Sequence, residues 1–243
     1  MNLPRLWNLD STGDLRLNFH PGQAKAWLSK RRFTWILAGT QGGKTSFLVP
    51  WLAREILEQG EGDYMAVTAT FPLLNNKLLP EFLTYFQHTL HLGEWKAASK
   101  IFEITNPKWP RARVIFGSAT HPESLESATA KATILDECGQ SQFRLDSWEA
   151  IQRRLSLHQG RVMGGTTLYT LGWLKQQVYD AWRNGDPDHA VIQFKSTLNP
   201  AFPAEEYERA KRVLPKWKLA MFYEGQYDRP AGLIYSDFVD TYR

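Results

Sequence analysis

The sequence predicts an α/β fold in which a mainly parallel, twisted sheet is flanked by helices. Short apolar runs typical of buried strands alternate with longer segments of helical periodicity, which is the pattern of parallel strands joined by crossover helices. A glycine-rich turn joins the first of these strands to the first long helix. The 243 residues, of which 43% are hydrophobic, suffice for one sizeable domain and a small appended subdomain.

The strands and helices can be placed in order along the chain from these patterns. Segments 100–104 and 113–117 predict an antiparallel pair, because Asn106, Pro107 and Pro110 between them favour a turn. The apolar runs predicted to be the remaining strands are 33–38, 64–69, 132–135, 161–167 and 190–195. The segments predicted to be helical run from the glycine-rich turn to residue 57, and over 75–90, 148–155, 173–183 and 205–226.

The chain is predicted to divide into three parts. Residues 1–189 contain the core strands and helices. Residues 190–228 are predicted to form a small C-terminal lid subdomain, because 205–226 is helical and amphipathic in pattern. Residues 229–243 follow a segment rich in proline and glycine and are predicted to be a linker.

Composition excludes several classes of protein. No run of about 18 apolar residues is present, which argues against a membrane span, and the N-terminus lacks the pattern of a secretory signal. The single cysteine, Cys138, rules out an internal disulfide framework and favours a reducing, cytoplasmic setting. The net charge of +4 tolerates a polyanionic partner without requiring one.

The strongest local signal is the glycine-rich turn that follows strand 33–38. A strand that leads through such a turn into a helix aims several backbone N–H groups and the positive end of the helix dipole at one point, where they can bind phosphate. Lys44 is expected to reach the β- and γ-phosphates, and the Thr45 hydroxyl to ligate Mg²⁺. The predicted nucleotide-binding residues of this turn are Gly39, Thr40, Gln41, Gly42, Gly43, Lys44, Thr45 and Ser46.

A pair of acids ends a later apolar strand. Asp136 and Glu137 directly follow the run 132–135, and the carboxyl ends of the strands are where open α/β sheets bind ligands. Asp136 is predicted to hold Mg²⁺, and Glu137 to act as the general base that activates water for attack on the γ-phosphate. Together with the phosphate loop, this pair predicts a P-loop NTPase of the RecA-like, ASCE type that binds and hydrolyses ATP.

Three further polar residues are assigned to the site. The amide of Gln23, beside a Pro-Gly turn, can both donate to and accept from an adenine edge. Thr166 and Thr167 end the strand 161–167, where a hydroxyl could sense loss of the γ-phosphate and couple hydrolysis to movement. For each of the three, an ordinary structural role as a helix-end or strand-end residue is the alternative.

Several motifs, taken in order, resemble the large terminase subunits of tailed bacteriophages. The residues that carry the resemblance lie at 19–23, 37–47, 66–72, 122–125 and 165–182. The first matches the place where that family carries an adenine-reading glutamine, the second resembles the terminase form of the phosphate loop, and 165–168 resembles its coupling motif. The resemblance runs from about residue 19 to the end of the sequence.

The resemblance implies an ATP-driven motor that moves double-stranded viral DNA into an empty capsid. It implies a ring of identical subunits on the capsid portal, a small terminase subunit as partner, no membrane, and action in the host cytoplasm. In the family a nuclease domain follows the motor. Its acids are not found here, and segment 232–238 resembles the entry to that domain, so the sequence is expected to be the motor part alone.

The arginine that stabilises charge on the transferring phosphoryl group is not identified by the resemblance. Many terminases carry one arginine inside the phosphate loop and another before the acidic strand, and this sequence has Thr40 and Glu126 at those places. Arg153 and Arg154 are the best remaining catalytic candidates, because a helix after the acidic strand can face a neighbouring subunit. A surface pair or a salt bridge is the competing interpretation.

Three other functions remain open from the sequence. A helicase-like nucleic-acid motor would need a second RecA-like domain, for which 243 residues leave little room. A nucleotide-regulated binding module would bind ATP without turnover, and a small-molecule kinase would transfer the phosphoryl group to a metabolite. Glu137 separates the binding module from the motor, because only hydrolysis needs a general base.

Overall fold

The computed structural model describes residues 6–125 and 129–229. An eight-stranded sheet forms its centre, with the strand order β10-β3-β9-β8-β4-β7-β6-β5. The six strands from β10 to β7 are parallel, and β6 and β5 continue the sheet antiparallel at one edge. The strands of this sheet are β3 (Phe33–Ala38), β4 (Gly62–Thr68), β5 (Gly93–Lys96), β6 (Ile101–Ile104), β7 (Ala112–Ser118), β8 (Ala130–Asp136), β9 (Arg161–Thr166) and β10 (His189–Phe194).

Helices cover both faces of the sheet. They are α1 (Pro21–Trp27), α2 (Lys44–Gln59), α3 (71–89), α4 (Leu145–Leu155), α5 (174–183), α6 (Ala204–Val213) and α7 (216–224). Wider π-helical turns interrupt α3 at Leu74–Leu78 and Thr84–Thr89, and similar turns lie within α5 and α7. A separate antiparallel pair, β1 (Trp7–Leu9) and β2 (Leu15–Leu17), precedes α1. Among the described helices, none is long and apolar enough to cross a bilayer.

The core consists of two apolar layers, one on each face of the sheet. Because successive strand residues point to opposite faces, Ile36 joins one layer while Trp35 and Leu37 join the other. All three are fully buried, as expected for a central strand of a parallel sheet. The mainly parallel sheet flanked by helices that the sequence predicts is confirmed.

The strand order decides which polar residues meet. Strand β9 lies between β3 and β8 and is parallel to both. The phosphate-loop strand and the strand that ends in Asp136 are therefore separated by one inserted strand, which is the arrangement expected for the ASCE type. All three strands end at the same edge of the sheet, and the functional site is built there.

Several elements differ from the sequence-based expectation. Helix 205–226 is broken into α6 and α7, because Pro215 lacks a backbone N–H and restricts the residue before it. Strand β5 was not predicted, since its residues GEWK contain no apolar run. Strand β10 pairs in parallel with β3 in the main sheet, although the predicted division places 190–194 in the C-terminal subdomain.

Two predicted features lie wholly or largely outside the described residues. The first is Glu126. The second is the predicted linker 229–243, of which only residue 229 is described. The movement of 190–228 as a lid stays a prediction.

Candidate functional site

The loop after β3 is the centre of the site. It leaves the strand at Gly39, whose N–H donates to the carbonyl of Phe194 at 3.0 Å. It ends at Gly43, whose φ of 78° lies in the left-handed region that an L side chain rarely adopts. Helix α2 begins at the next residue, Lys44. Its first N–H groups and the positive end of its dipole therefore face the loop, as a phosphate-binding turn requires.

Lys44 is buried and points into the loop. Its Nζ donates to the carbonyl oxygens of Ala38 and Gly39 at 3.2 and 2.8 Å and to the Thr167 hydroxyl at 3.0 Å. Burial lowers the pKa of Lys44, and the negative charges of Glu137 and Asp136 oppose that shift. The ammonium group is thus held next to both acids and to the end of β9.

Thr45 joins the phosphate loop to the acidic strand. Its hydroxyl lies 3.1 and 3.0 Å from the two carboxylate oxygens of Asp136. Asp136 is completely buried, and burial followed by repulsion from Glu137 raises its pKa to about 7, against the stabilising hydrogen bond from Thr45. The convergence of the loop and the acids that the sequence predicts is present in the structure.

Glu137 is held in an unusual backbone conformation at the end of β8. Its φ is 54°, in the left-handed region, and its N–H donates to the carbonyl of Gly165 at 2.7 Å. The carboxylate has a different neighbour at each oxygen. Lys77 of α3 lies 3.6 Å from Oε1, and the hydroxyl of Tyr169 donates to Oε2 at 3.2 Å. The backbone N–H of Thr167 also faces Oε2, at 3.5 Å.

The two threonines at the end of β9 have different roles. Thr166 is fully buried, and its hydroxyl accepts from the N–H of Gly139 at 3.0 Å and donates to the carbonyl of Thr167 at 2.8 Å. It therefore shapes the turn after Glu137. Thr167 instead contacts Lys44 through its side chain, and so it lies directly between the phosphate loop and the acids.

A cavity of about 730 Å³ opens beside the loop, and neither Asp136 nor Glu137 lines it. Gly43 and Ser46 line it on the side of the phosphate loop, and Gln23 lines it on the side of α1. The Gln23 amide is already engaged, because its Nε2 donates to the Gly43 carbonyl at 2.9 Å and its Oε1 accepts from the N–H of His20 at 3.2 Å. Trp7 and Phe19 supply apolar walls.

Arg153 and Arg154 lie far from the site of their own chain. They lie in the last turn of α4, and the chain then returns to start β9, with Gly160 donating to the carbonyl of Leu155 at 2.8 Å. That end of α4 lies beside the start of β8, whereas Asp136 is the last residue of that seven-residue strand. At about 3.3 Å per residue, the separation is roughly 20 Å. A role toward a neighbouring subunit stays a prediction.

Sequence reasoning missed several residues that contact the loop or the acids. Tyr169 and Lys77 contact Glu137, but neither stands in a motif of fixed spacing. Three more hold carbonyl oxygens of the phosphate loop: His20, Ser196 and Asn199. Gln23, which the sequence assigns to adenine, holds a fourth. These contacts bridge distant parts of the chain, so no local pattern could have indicated them.

The inserted strand β9, the phosphate loop before α2 and the buried acid opposite Thr45 together define the P-loop NTPase fold of the ASCE class. Within that class, the chain has the fold of the ATPase domain of phage large terminases, as comparison with solved structures shows. No protein-family model matches the sequence, and a comparison with curated proteins found no match.

Three solved structures illustrate the likeness. The large terminase ATPase domain of Thermus phage P74-26 is 17% identical with a TM-score of 0.72, and the match covers 87% of this chain and 95% of that one. The large terminase of a second, thermophilic bacteriophage is 14% identical with a TM-score of 0.74, over 92% of this chain and 57% of that one. A complex of that second terminase with ADP matches with a TM-score of 0.72 at 13% identity, covering 85% of this chain and 52% of that one. The chain thus spans a little over half of this longer terminase.

Proposed function

We propose that this protein binds ATP at the phosphate loop and hydrolyses it to ADP and phosphate. The observation that carries the proposal is the contact between Thr45 and Asp136, whose hydroxyl and carboxylate oxygens lie 3.0 to 3.1 Å apart. This contact joins the loop to the acidic strand, with Lys44 and Glu137 alongside. The likeness to terminase structures, one of them a complex with ADP, supports the same assignment.

In this proposal each residue has a separate task. Lys44 supplies positive charge to the β- and γ-phosphates, which carry the most negative charge in the transition state. Glu137 accepts a proton from the water that attacks the γ-phosphorus, while the bond from phosphorus to the β–γ bridging oxygen breaks and ADP leaves with that oxygen. Glu137 is 6% exposed, so it is shielded from bulk water without being completely buried.

Mg²⁺ fits the residues present. The Thr45 hydroxyl and the Asp136 carboxylate are hard oxygen donors, and Mg²⁺ in nucleotide sites takes one or two such protein ligands together with phosphate oxygens and water. No group of three or more potential metal-binding side chains was found among the described residues, so a cage made by the protein alone is not the arrangement there. When bound, Mg²⁺ would neutralise charge on the β- and γ-phosphates.

The cavity next to Gly43 and Ser46 is the place for the adenine base and ribose. It adjoins the start of α2, and its walls include the apolar faces of Trp7 and Phe19, against which a base can pack. The volume of about 730 Å³ lies within the range of pockets that hold small ligands.

We further propose that hydrolysis drives double-stranded DNA into a viral procapsid. The fold shared with phage large terminases supports this. A ring of identical subunits on the capsid portal, the small terminase subunit as partner, coupling through Thr166 and Thr167, and action in the host cytoplasm belong to the same proposal.

The test is an ATPase assay with Mg²⁺ on the wild-type protein and on two variants. Glu137→Gln should retain ATP binding but lose turnover by about 10²-fold or more, because the amide cannot accept the proton of water. Lys44→Ala should lose both, because the phosphate charge loses its cation. ADP and phosphate should be the only products, which separates hydrolysis from transfer to a metabolite.

ATP binding without measurable turnover in the wild-type protein would favour a binding module over a motor, and unchanged turnover in Glu137→Gln would reject Glu137 as the general base. Tight ATP binding with normal turnover in Lys44→Ala would reject the phosphate-loop assignment. DNA-stimulated hydrolysis, measured with linear double-stranded DNA, then tests the packaging role separately from the chemistry.

A further inference from the structure

Four consecutive carbonyl groups of the phosphate loop are each held by a side chain from outside the loop. Ser196 Oγ donates to the carbonyl of Thr40 and Asn199 Nδ2 to that of Gln41, both at 2.6 Å. On the other side, His20 Nε2 lies 3.2 Å from the carbonyl of Gly42, and Gln23 Nε2 donates to that of Gly43 at 2.9 Å. We call these four side chains the carbonyl collar.

The collar sets the direction of the N–H groups in the loop. In a trans peptide the C=O and the N–H of one unit point in opposite directions, and no cis bond occurs among the described residues. Holding the carbonyls of residues 40–43 therefore fixes the directions of the N–H groups of residues 41–44. The N–H of Gly42 closes the loop by donating to the carbonyl of Gly39 at 3.2 Å. A loop whose remaining backbone N–H groups face one point forms a concave anion site.

The tautomer of His20 agrees with this role. Its Nδ1 accepts from the N–H groups of Gly22 and Gln23 at 3.1 and 3.4 Å, capping α1. The ring proton therefore belongs on Nε2, which can donate to Gly42. Phe194, the last residue of β10, packs edge-on against the ring at 4.8 Å between centroids and holds it in place.

Both ends of the Gln23 amide are hydrogen-bonded within the protein, and one of them bonds the phosphate loop. Its Oε1 accepts from the backbone of His20, its Nε2 donates to Gly43, and the residue is only 2% exposed. To read an adenine edge, the amide would have to break the bond to Gly43. The geometry thus separates Gln23 from base recognition, even though it lines the neighbouring cavity.

We propose that His20, Gln23, Ser196 and Asn199 are positioning residues that preorganise the phosphate loop by holding its carbonyls, and that Gln23 acts on the loop and not on the base. The inference rests on the proposed nucleotide-binding function. The ligand that the collar serves is the polyphosphate chain, whatever base is attached. Ser196 and Asn199 come from the turn after β10, so the C-terminal segment shares in forming the site.

The test uses a ligand without a base. Affinities for ATP, GTP and inorganic triphosphate, each with Mg²⁺, are measured by calorimetry on the full chain. Gln23→Met removes the amide at similar length without adding charge. Asn199→Ser keeps an oxygen that can accept from the N–H of Ala201, as Asn199 does at 3.1 Å, but is too short to reach Gln41. Thr84→Ala is the control, because Thr84 lines the same cavity and bonds only within its own helix, to Pro80.

Both collar variants should weaken all three ligands by the same factor, about three- to tenfold for the loss of one hydrogen bond. Thr84→Ala should leave triphosphate binding unchanged. A loss confined to ATP in Gln23→Met, or no loss of triphosphate affinity in either collar variant, would overturn the inference.

Two checks distinguish a loss of affinity from a loss of the fold or of the proposed function. Thermal unfolding of each variant shows whether the fold is intact, and Asn199, which is partly exposed, serves if the buried Gln23 does not tolerate substitution. A wild-type protein that binds neither ATP nor triphosphate would reject the proposed function itself, and the collar with it.

Discussion

The hydroxyl of Tyr169 lies 3.2 Å from Oε2 of Glu137, so the proposed general base is oriented by a residue three positions beyond the end of β9. The other carboxylate oxygen faces Lys77 at 3.6 Å. Tyr169 also packs near Phe222 of α7, with 6.2 Å between ring centroids, and the carbonyl of Phe222 accepts from the N–H of Thr40 at 2.7 Å. Helix α7 therefore contacts both the phosphate loop and the residue that orients the base.

Tyr169→Phe should slow hydrolysis without weakening nucleotide binding. The substitution keeps the ring and removes the hydroxyl, which interacts with Glu137, Thr167 and Gln140, and of these Glu137 acts in the chemical step. We expect kcat to fall about three- to tenfold, the effect of one hydrogen bond, with the Kd for ATP unchanged. Steady-state kinetics and calorimetry measure the two quantities. Tyr179→Phe is the matched control, because that ring packs on Trp182 and Tyr227. Equal kcat values for the two variants would contradict the role of Tyr169.

Thr167→Val should reduce the preference of the site for ATP over ADP. The Thr167 hydroxyl accepts from Lys44 Nζ at 3.0 Å, so it helps to place the cation that meets the γ-phosphate. Valine keeps the shape of the side chain but cannot accept, and we expect the ratio of ADP to ATP dissociation constants to fall about three- to tenfold. Competition binding with both nucleotides measures this ratio, and an unchanged ratio would assign Thr167 to strand-end packing.

Asp136→Asn should stabilise the protein in the absence of metal and nucleotide. Burial raises the pKa of Asp136 to about 7 from the model-peptide value of 3.8. As pH rises from about 4 to 7, the unfolded chain releases this proton before the folded chain does, so this residue lowers stability over that window and keeps it lowered above it. Asparagine has no proton to release, so the variant does not lose this stability as the pH rises. We expect it to lose turnover, because residue 136 is the predicted Mg²⁺ ligand.

The measurement compares unfolding midpoints of wild type and Asp136→Asn at pH 5 and pH 8 in a chelator. We expect the midpoint of the variant to exceed that of wild type by at least about 2–4 °C at pH 8, which corresponds to roughly 1 kcal/mol in a domain of this size, and by less at pH 5. Because both proteins share His20 and His189, the difference isolates residue 136. A difference independent of pH would show that Asp136 is ionised in the folded state throughout.

Arg153 and Arg154 should affect hydrolysis only between subunits. Both lie roughly 20 Å from Asp136 in the same chain, so neither can reach its own site. If one serves a neighbour, an Arg→Ala subunit retains an intact site, and a Lys44→Ala subunit retains an intact arginine. Mixing the two inactive proteins should restore part of the ATPase activity. If the ATPase activity of the mixture equals that of the separate proteins, neither arginine acts on a neighbouring subunit, and both are ordinary surface residues.

The phosphate loop and the acidic pair could be predicted from the sequence, because each is a short motif at the end of a strand. The parallel sheet then brings strand ends to one edge, and the contact between Thr45 and Asp136 follows from topology. Strands β3, β8 and β9 were predicted for the same reason, since buried central strands are continuous apolar runs.

What the sequence did not indicate depends on contacts between distant residues. Asn199 meets Gln41 across 158 positions, and Tyr169 meets Glu137 because β9 lies beside β8. Neither residue type is distinctive at its place in the chain. Strand β5 escaped detection because edge strands, exposed on one side, carry charged residues such as Glu94 and Lys96.

Glu137 occupies a left-handed backbone position with a φ of 54°, which glycine tolerates freely and which costs other residues about 1–2 kcal/mol. Any side chain at this position lowers the stability of the folded state. Glu137 is therefore present despite the conformational preference of its own backbone. Selection for thermal stability alone would favour glycine at this position, and the proposed general base would be lost.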